Sequence, residues 1–264
     1  MHIIVCVKQI IDPEIPSGEF KVDFEAKKAE EDQGELVMNP YDDNAIEVAL
    51  QIKDKDPDTR VTALTMGGET TQKVLRRALA MGCSEAIWLK DPLFEGLDPA
   101  GTAKVLAQGI KKADAADIVL CGRQAGDWDM SQVGFLLAEE LGAACIPLAY
   151  DIQVQDGQLL VKRETDTGME TLKVGTPMLA NVTNASTNQP RFASVKGVLM
   201  AGRKQIPTYS AQDLGFTEEI PRQVVVDALS LPNYERQVEI IDGEDGPEKA
   251  VKLVEHLIKM NLLK

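Results

Sequence analysis

The chain has 264 residues, 44% apolar and 27% charged, the balance of a soluble globular protein able to bury a sizeable core. Its formal net charge of −14 would be repelled by nucleic acid and by anionic membrane surfaces, which excludes binding to either through bulk electrostatics. No apolar run approaches the ~18 residues of a membrane span, and the apolar start Ile3–Val7 is too short for a signal-peptide core, so direct membrane insertion is not expected and a cytoplasmic location is.

His2–Val7 reads as a buried strand, and the prolines of Asp12–Pro16 interrupt regular structure after it. Gly18–Gly34 alternates weakly and then becomes densely charged, as a surface hairpin or loop insertion does. Asn39–Pro40 opens a helix whose apolar face, Ala45, Ile46, Val48, Ala49, Leu50 and Ile52, runs to the polar turn Lys53–Asp58. Arg60–Thr65 is the next strand, with Met66–Gly67–Gly68 at its end, and Glu69–Met81 is a helix closed by Gly82. Ala86–Leu89 is a strand, Gly96–Gly101 a turn and Thr102–Ala113 a helix. Strands that alternate with long helices require a parallel sheet with helices on both faces, an α/β fold, with its binding crevice at the carboxyl edge of the strands.

Ile118–Cys121 is a short continuous apolar run, the pattern of a parallel strand buried on both faces, and Gly122 ends it. A polar loop, Arg123–Trp128, leads to a helix whose apolar positions are Val133, Leu136, Leu137 and Leu141, closed by Gly142. Asp129 is a candidate N-cap, Ser131 lies in the expected first turn, and Gly122, Gly126 and Gly134 would let backbone approach a ligand. Arg123 would offset the charge of Asp127 and Asp129. Such a loop suits a phosphate, but an ordinary strand-to-helix connection has the same ingredients, and neither GxGxxG nor GxxxxGK[ST] is present.

Beyond Pro147 the runs Ala149–Val154, Leu159–Glu164, Met169–Val174 and Met178–Asn181 are separated by Asp156–Gly157, Thr167–Gly168 and Thr176–Pro177, which reads as an antiparallel hairpin extension of the same domain. Thr183–Arg191 is a polar loop and Ser194–Met200 a short helix. Pro207–Asn233 lacks sustained periodicity and reads as an extended arm in need of another surface; Pro247–Leu262 is a helix suited to docking. Cys6, Cys83, Cys121 and Cys145 are too scattered for a metal site, and His2 and His256 offer no catalytic triad.

GRQAGDWDMSQVG at Gly122–Gly134 resembles the nucleotide-binding signature of the electron-transfer flavoprotein β subunit. Collinear stretches extend the resemblance along most of the chain: VCVKQI at Val5–Ile10, MNPYDDNAIEVAL at Met38–Leu50, VTALTMGG at Val61–Gly68, RRALAMGCSEAIWL at Arg76–Leu89 and NQPRFASVKGVLMA at Asn188–Ala201. The resemblance implies a heterodimer with an α subunit. It implies a Rossmann-like domain over residues 1–204, with the hairpin extension at 149–182 and a partner-recognition loop at 188–201, and an arm and helix at 205–264 that dock on α. It implies an adenine nucleotide held by Cys6, by Asn39, Pro40, Tyr41 and Asp42, by Met66 and Ile118, and by Gly122, Arg123, Gln124, Ala125, Gly126, Asp127, Trp128, Asp129, Met130, Ser131, Gln132 and Val133. The pyrophosphate would sit on the N–H groups at the start of the Ser131 helix, Asp127 or Asp129 would meet ribose hydroxyls, and Trp128 would either stack on a ligand ring or pack.

Family members that bind AMP resemble QAIDDDxNQTGQM in the loop, whereas bifurcating members, which bind a second FAD, resemble QAxDGDTxQVGP. QAGDWDMSQVGF is similar to the second class, departing from it at Gly126, Trp128, Met130 and Phe135. That class implies that NADH is oxidised at the FAD held in β, one electron passing through the α-subunit FAD to an acyl-CoA dehydrogenase and the other to ferredoxin or flavodoxin. No catalytic side chain is then needed, because the chemistry belongs to the flavin. Val195 falls where the family's recognition loop carries an anchoring leucine toward the dehydrogenase. The alternative within the family is a non-bifurcating carrier with structural AMP that passes electrons from acyl-CoA dehydrogenases to the respiratory chain. An adenylating enzyme of the related α-hydrolase type would need an SGGxD-like loop where this chain reads CVKQIIDP.

Overall fold

A computed structural model describes residues 1–16, 18–30, 34–155, 157–231 and 238–263. The expected turn residue Asp156, part of the Gly18–Gly34 insertion and the end of the Pro207–Asn233 arm lie outside the described residues. The chain forms two compact units, Met1–Ala228 and Leu229–Lys264, so residues 207–228 lie with the first.

β1 (His2–Cys6) is buried throughout, as its apolar sequence requires. β2 (Gln9–Ile11), β3 (Val22–Asp23), β4 (Lys28–Ala29) and β5 (Leu36–Met38) form two small antiparallel ribbons, β2 with β5 and β3 with β4. The alternation expected from sequence comes next: α1 (Pro40–Lys55), β6 (Arg60–Met66), α2 (Gln72–Met81), β7 (Glu85–Leu89), α3 (Pro99–Lys112), β8 (Ile118–Gly122) and α4 (Val133–Leu141). Then come β9 (Ala144–Gln155), β10 (Gln158–Thr165), β11 (Gly168–Val174), β12 (Met178–Val182), the short helix α5 (Val195–Arg203) and β13 (Thr208–Tyr209).

Among the described residues one nine-stranded sheet has the order β11-β10-β9-β12-β8-β1-β6-β7-β13. The strands from β12 to β13 run parallel, and β10 pairs antiparallel with β9 and β11. Side chains of α1 and α2 pack with Ile3 and Val5 on one face, and those of α3 and α4 with Ile4 and Val119 on the other. This is a Rossmann-like α/β sheet with helices on both faces and an antiparallel extension.

Four local expectations change. Met178–Asn181 is not part of the antiparallel extension: β12 pairs in parallel with both β8 and β9, and its complete burial explains why it belongs inside the sheet. α3 starts at Pro99 rather than Thr102, because the Asp98 side chain accepts the Gly101 N–H at 2.8 Å and caps it. Glu69–Thr71 is a 3₁₀ turn ahead of α2. The first part of the expected arm lies on its own domain: β13 adds to the edge of the sheet beside β7, and Ala211, Leu214 and Ile220 are buried with α3.

In the second unit, α6 (Gly246–Lys259) is capped by Asp245 and leaves Val251, Val254 and Ile258 exposed. Among the described residues no helix is long and apolar enough to cross a membrane.

Candidate functional site

β1 lies between β6, the next strand of this sheet along the chain, and β8, which the chain reaches only after β7 by crossing back over β1. The strand order reverses there, and the helices that leave β1 and β8 lie on opposite faces, so a crevice opens outside the carboxyl ends of these two strands. Three stretches meet at it: the end of β1 with Lys8, the turn Asn39–Asp42 into α1, and the loop after β8.

Asn39 and Asp42 hold the three together. The buried Asp42 carboxylate accepts the Lys8 N–H at 2.7 Å and the Gly122 N–H at 3.0 Å. Asn39 donates to the Gln124 carbonyl at 2.8 Å and accepts the Gly126 N–H at 3.2 Å, so although it occupies the N-cap position of α1 its side chain does not cap that helix. Burial pushes the Asp42 carboxyl up to about 7, against the opposing pull of its hydrogen bonds from Lys8, Asn39 and Gly122. The packing is tight: a Cβ on Gly122 would lie 2.3 Å from Asp42 Oδ1 and 2.8 Å from Tyr41 Cβ.

The loop's acidic groups are not met by Arg123. Lys8 Nζ pairs with Asp127 at 2.7 Å, and Gln124 donates to Asp129 at 2.7 Å. Arg123 instead turns toward the ring of Tyr41, 4.6 Å from its centroid, and donates to Tyr41 Oη at 2.8 Å and Thr183 Oγ1 at 3.4 Å. Among the described residues its Nε is buried without a hydrogen-bond partner. Sequence reasoning missed Lys8 and Thr183; the only signal for Lys8 was its place two residues past the end of β1.

α4 starts at Val133. Asp129 and Ser131 adopt left-handed backbone, with φ of 49° and 53°, so they are loop residues and not the expected cap and first turn. Gln132 stands at the N-cap without a side-chain hydrogen bond, and no acidic residue lies in the first turn. The opening N–H groups of α4 have no intrahelical acceptor, the condition in which a helix start accepts an anion. In the loop ahead of the helix Trp128 is 44% exposed and Met130 is exposed too.

The other two expected glycine approaches, like that of Gly122, serve the protein itself. A Cβ on Gly134 would lie 1.7 Å from Asn181 Oδ1, so this glycine seats α4 on β12, and Gly126 faces Ile10 and Pro13. Cys6 closes β1 beside Cys121, and Met66 ends β6, both at the carboxyl edge. Ile118 is at the other end of β8, fully buried between Ile3 and Met178; four residues of strand, about 13 Å, separate it from Gly122, and the fold does not bring it to the crevice.

An uncapped helix start behind a loop braced by Asn39, Asp42 and Lys8 fits the phosphates of a nucleotide. The electron transfer flavoprotein domain family matches residues 28–214, which include the turn into α1 and the entire loop after β8. An electron transfer flavoprotein subunit beta from Thermoanaerobacterium thermosaccharolyticum is 36% identical across 97% of this chain and 98% of its own length. The chain belongs to the electron-transfer flavoprotein β-subunit family. A subunit of this family from Megasphaera elsdenii is 38% identical over 80% of this chain and 78% of its own. The caffeyl-CoA reductase-Etf complex subunit CarD of Acetobacterium woodii is 37% identical over 83% of this chain and 82% of its own. Membership places the chain among flavin-linked electron carriers.

Proposed function

We propose that this chain is the β subunit of a bifurcating electron-transfer flavoprotein and holds FAD in the crevice between β1 and β8. The observation that carries the reading is the Gly122–Gln132 loop: Asn39, Asp42 and Lys8 brace it, which leaves the uncapped start of α4 available to a ligand. The N–H groups of Val133 and Gly134 receive the pyrophosphate, Arg123 supplies positive charge, and Asp127 and Asp129, already oriented by Lys8 and Gln124, meet the ribose hydroxyls. Trp128, exposed on the loop, stacks on the ligand. The QVG sequence of the loop and the similarity to a subunit of a caffeyl-CoA reductase-Etf complex support the bifurcating class over the AMP-binding one.

When bound, FAD supplies hydride acceptance from NADH and the division of the electron pair. The protein binds and orients it and passes electrons onward through a heterodimer with the α subunit, in the cytoplasm. The exposed apolar helix α6 docks on α. Phe192 and Val195, 100% and 80% exposed, make the contact with an acyl-CoA dehydrogenase, and ferredoxin or flavodoxin takes the second electron.

Co-expression with the α subunit, with a count of the nucleotides released on denaturation, tests the reading. Two FAD per heterodimer are expected. One FAD and one AMP would overturn it and leave a single-flavin carrier.

A further inference from the structure

Beyond the crevice, α1 carries a stripe of polar side chains, Asn44, Glu47, Gln51 and Asp54, spaced to lie on one face of the helix. Each of them holds the segment 187–191. Asn44 donates to the Asn188 carbonyl at 2.9 Å and Gln51 to the Thr187 carbonyl at 2.7 Å. Arg191 grips Glu47 through its Nε at 2.8 Å and a terminal nitrogen at 2.9 Å, its backbone N–H reaches the same carboxylate at 3.1 Å, and the guanidinium also meets Asp54 at 2.8 Å. Asn188 is fully buried and donates to the carbonyls of Thr183 and Tyr150.

One residue later the chain is fully exposed at Phe192, and the outward side chains of α5, Val195, Val198, Leu199 and Met200, are bare. The far end of α5 is held as well, by Arg76, which donates to the carbonyls of Ala201 and Lys204. An apolar segment is thus anchored by arginines at both ends and seated on α2 through Gly197, where a Cβ would lie 2.4 Å from the Ala80 carbonyl oxygen, while its outer face is left uncovered. A buried carboxylate paired with arginine adds little net stability compared with an apolar pair of the same volume. What a forked pair does supply is a fixed geometry.

We propose that Arg191 is a positioning residue for the electron-transfer partner. Its fork on Glu47 and Asp54 fixes where Phe192–Met200 leaves the body and ties that segment to the helix whose first turn braces the nucleotide loop. α1 is then a rigid spacer, about 18 Å from Asp42 to Asp54 at 1.5 Å per residue, between the nucleotide and the docked dehydrogenase. This rests on reading Phe192–Met200 as the dehydrogenase contact.

The test uses the αβ complex with a purified acyl-CoA dehydrogenase that exchanges electrons with it saturably. Arg191→Ala is expected to raise the KM for the dehydrogenase about tenfold, the scale on which contacting charge networks couple, while NADH-to-dye turnover and flavin content stay as in wild type. Hydrogen exchange over residues 192–203 should quicken in the same variant, and Arg191→Lys, which cannot fork across both carboxylates, should fall between. Asp54→Ala guards against misfolding from a stranded Glu47, since the Asp54 side chain is 61% exposed; it should shift KM and exchange in the same direction by less. Wild-type KM and exchange in both Arg191→Ala and Asp54→Ala would overturn the inference. Val195→Ala separates the two layers: an unchanged KM there would sink the dehydrogenase-contact reading itself, whereas exchange over 192–203 reports on Arg191 in either case.

Discussion

Gly122→Ala probes the crevice most directly. The new methyl would sit 2.3 Å from Asp42 Oδ1, 2.8 Å from Tyr41 Cβ and 3.0 Å from the Tyr41 carbonyl carbon, and the last of these is backbone that cannot swing aside. Asp42 cannot yield freely either, because its other oxygen holds the Lys8 N–H at 2.7 Å. Overpacking of this kind costs about 1–3 kcal/mol, and loss of the Asp42 bond to the Gly122 N–H adds about 1.5–3 kcal/mol if the carboxylate is charged. Burial holds the Asp42 carboxyl near 7, so at neutral pH the bond is partly that of a neutral acid and the low end of the hydrogen-bond range applies. A loss of about 3 kcal/mol would lower the Tm of a unit this size by about 6–12 °C. Differential scanning fluorimetry of the αβ complex would read the Tm, and gel filtration with nucleotide analysis would read retention, which should fall because the loop must move. Gly202→Ala is the control: nothing lies within 4 Å of its Cβ, and it should leave stability equal or slightly raised. A Gly122→Ala complex with wild-type Tm and a full complement of nucleotide would refute the account of the clamp.

Two buried or capped carboxyls give pH-dependent outcomes of opposite sign. The Asp42 carboxyl is raised from 3.8 to about 7 by burial, so between these values the folded chain keeps a proton that the unfolded chain releases; the resulting stability is complete below about pH 4 and lost as pH rises through 7. Urea titrations at pH 5 and pH 8 should therefore show a smaller drop for Asp42→Asn than for wild type, and equal drops would contradict the assignment. For Asp98, N–H donors led by Gly101, with Gln223 and Val224, hold the carboxyl below 3.8, so its contribution is present above that value and lost as pH falls. Asp98→Ala should cost about 1 kcal/mol as a lost helix cap and free the Gln223–Val224 strap, read as new trypsin cleavage at Arg222.

The parallel sheet was legible because β1, β6, β7 and β8 are short apolar runs separated by amphipathic helices, and the loop after β8 was legible as a binding element from its place at a strand's carboxyl end. The start of α4 was not: Asp129 and Ser131 are good caps by type, but left-handed backbone at both delays the helix to Val133. Nor could local patterning find the clamp, since Lys8 and Asp127 or Asp42 and Gly122 are neighbours only once the sheet has formed. Arg123 was misread for the same reason. Its sequence neighbours are acidic, yet its spatial neighbours are Tyr41 and Thr183. The run Met178–Val182 comes after a hairpin and so resembles its continuation, although complete burial on both faces marks it as an interior strand.

That strand has a consequence for how the protein is made. α4 carries the chain from β8 to β9 but skips one position in the sheet, and only β12 fills it. Until Val182 has been synthesised, β8 and β9 face each other across a slot about 10 Å wide, two strand spacings, with unpaired backbone on both rims. The β10–β11 ribbon then acts as a tether that brings the chain back to the slot. A polypeptide that stops at Val174 would not be a shorter version of the domain but two half-sheets with open edges, each a template for pairing with another copy.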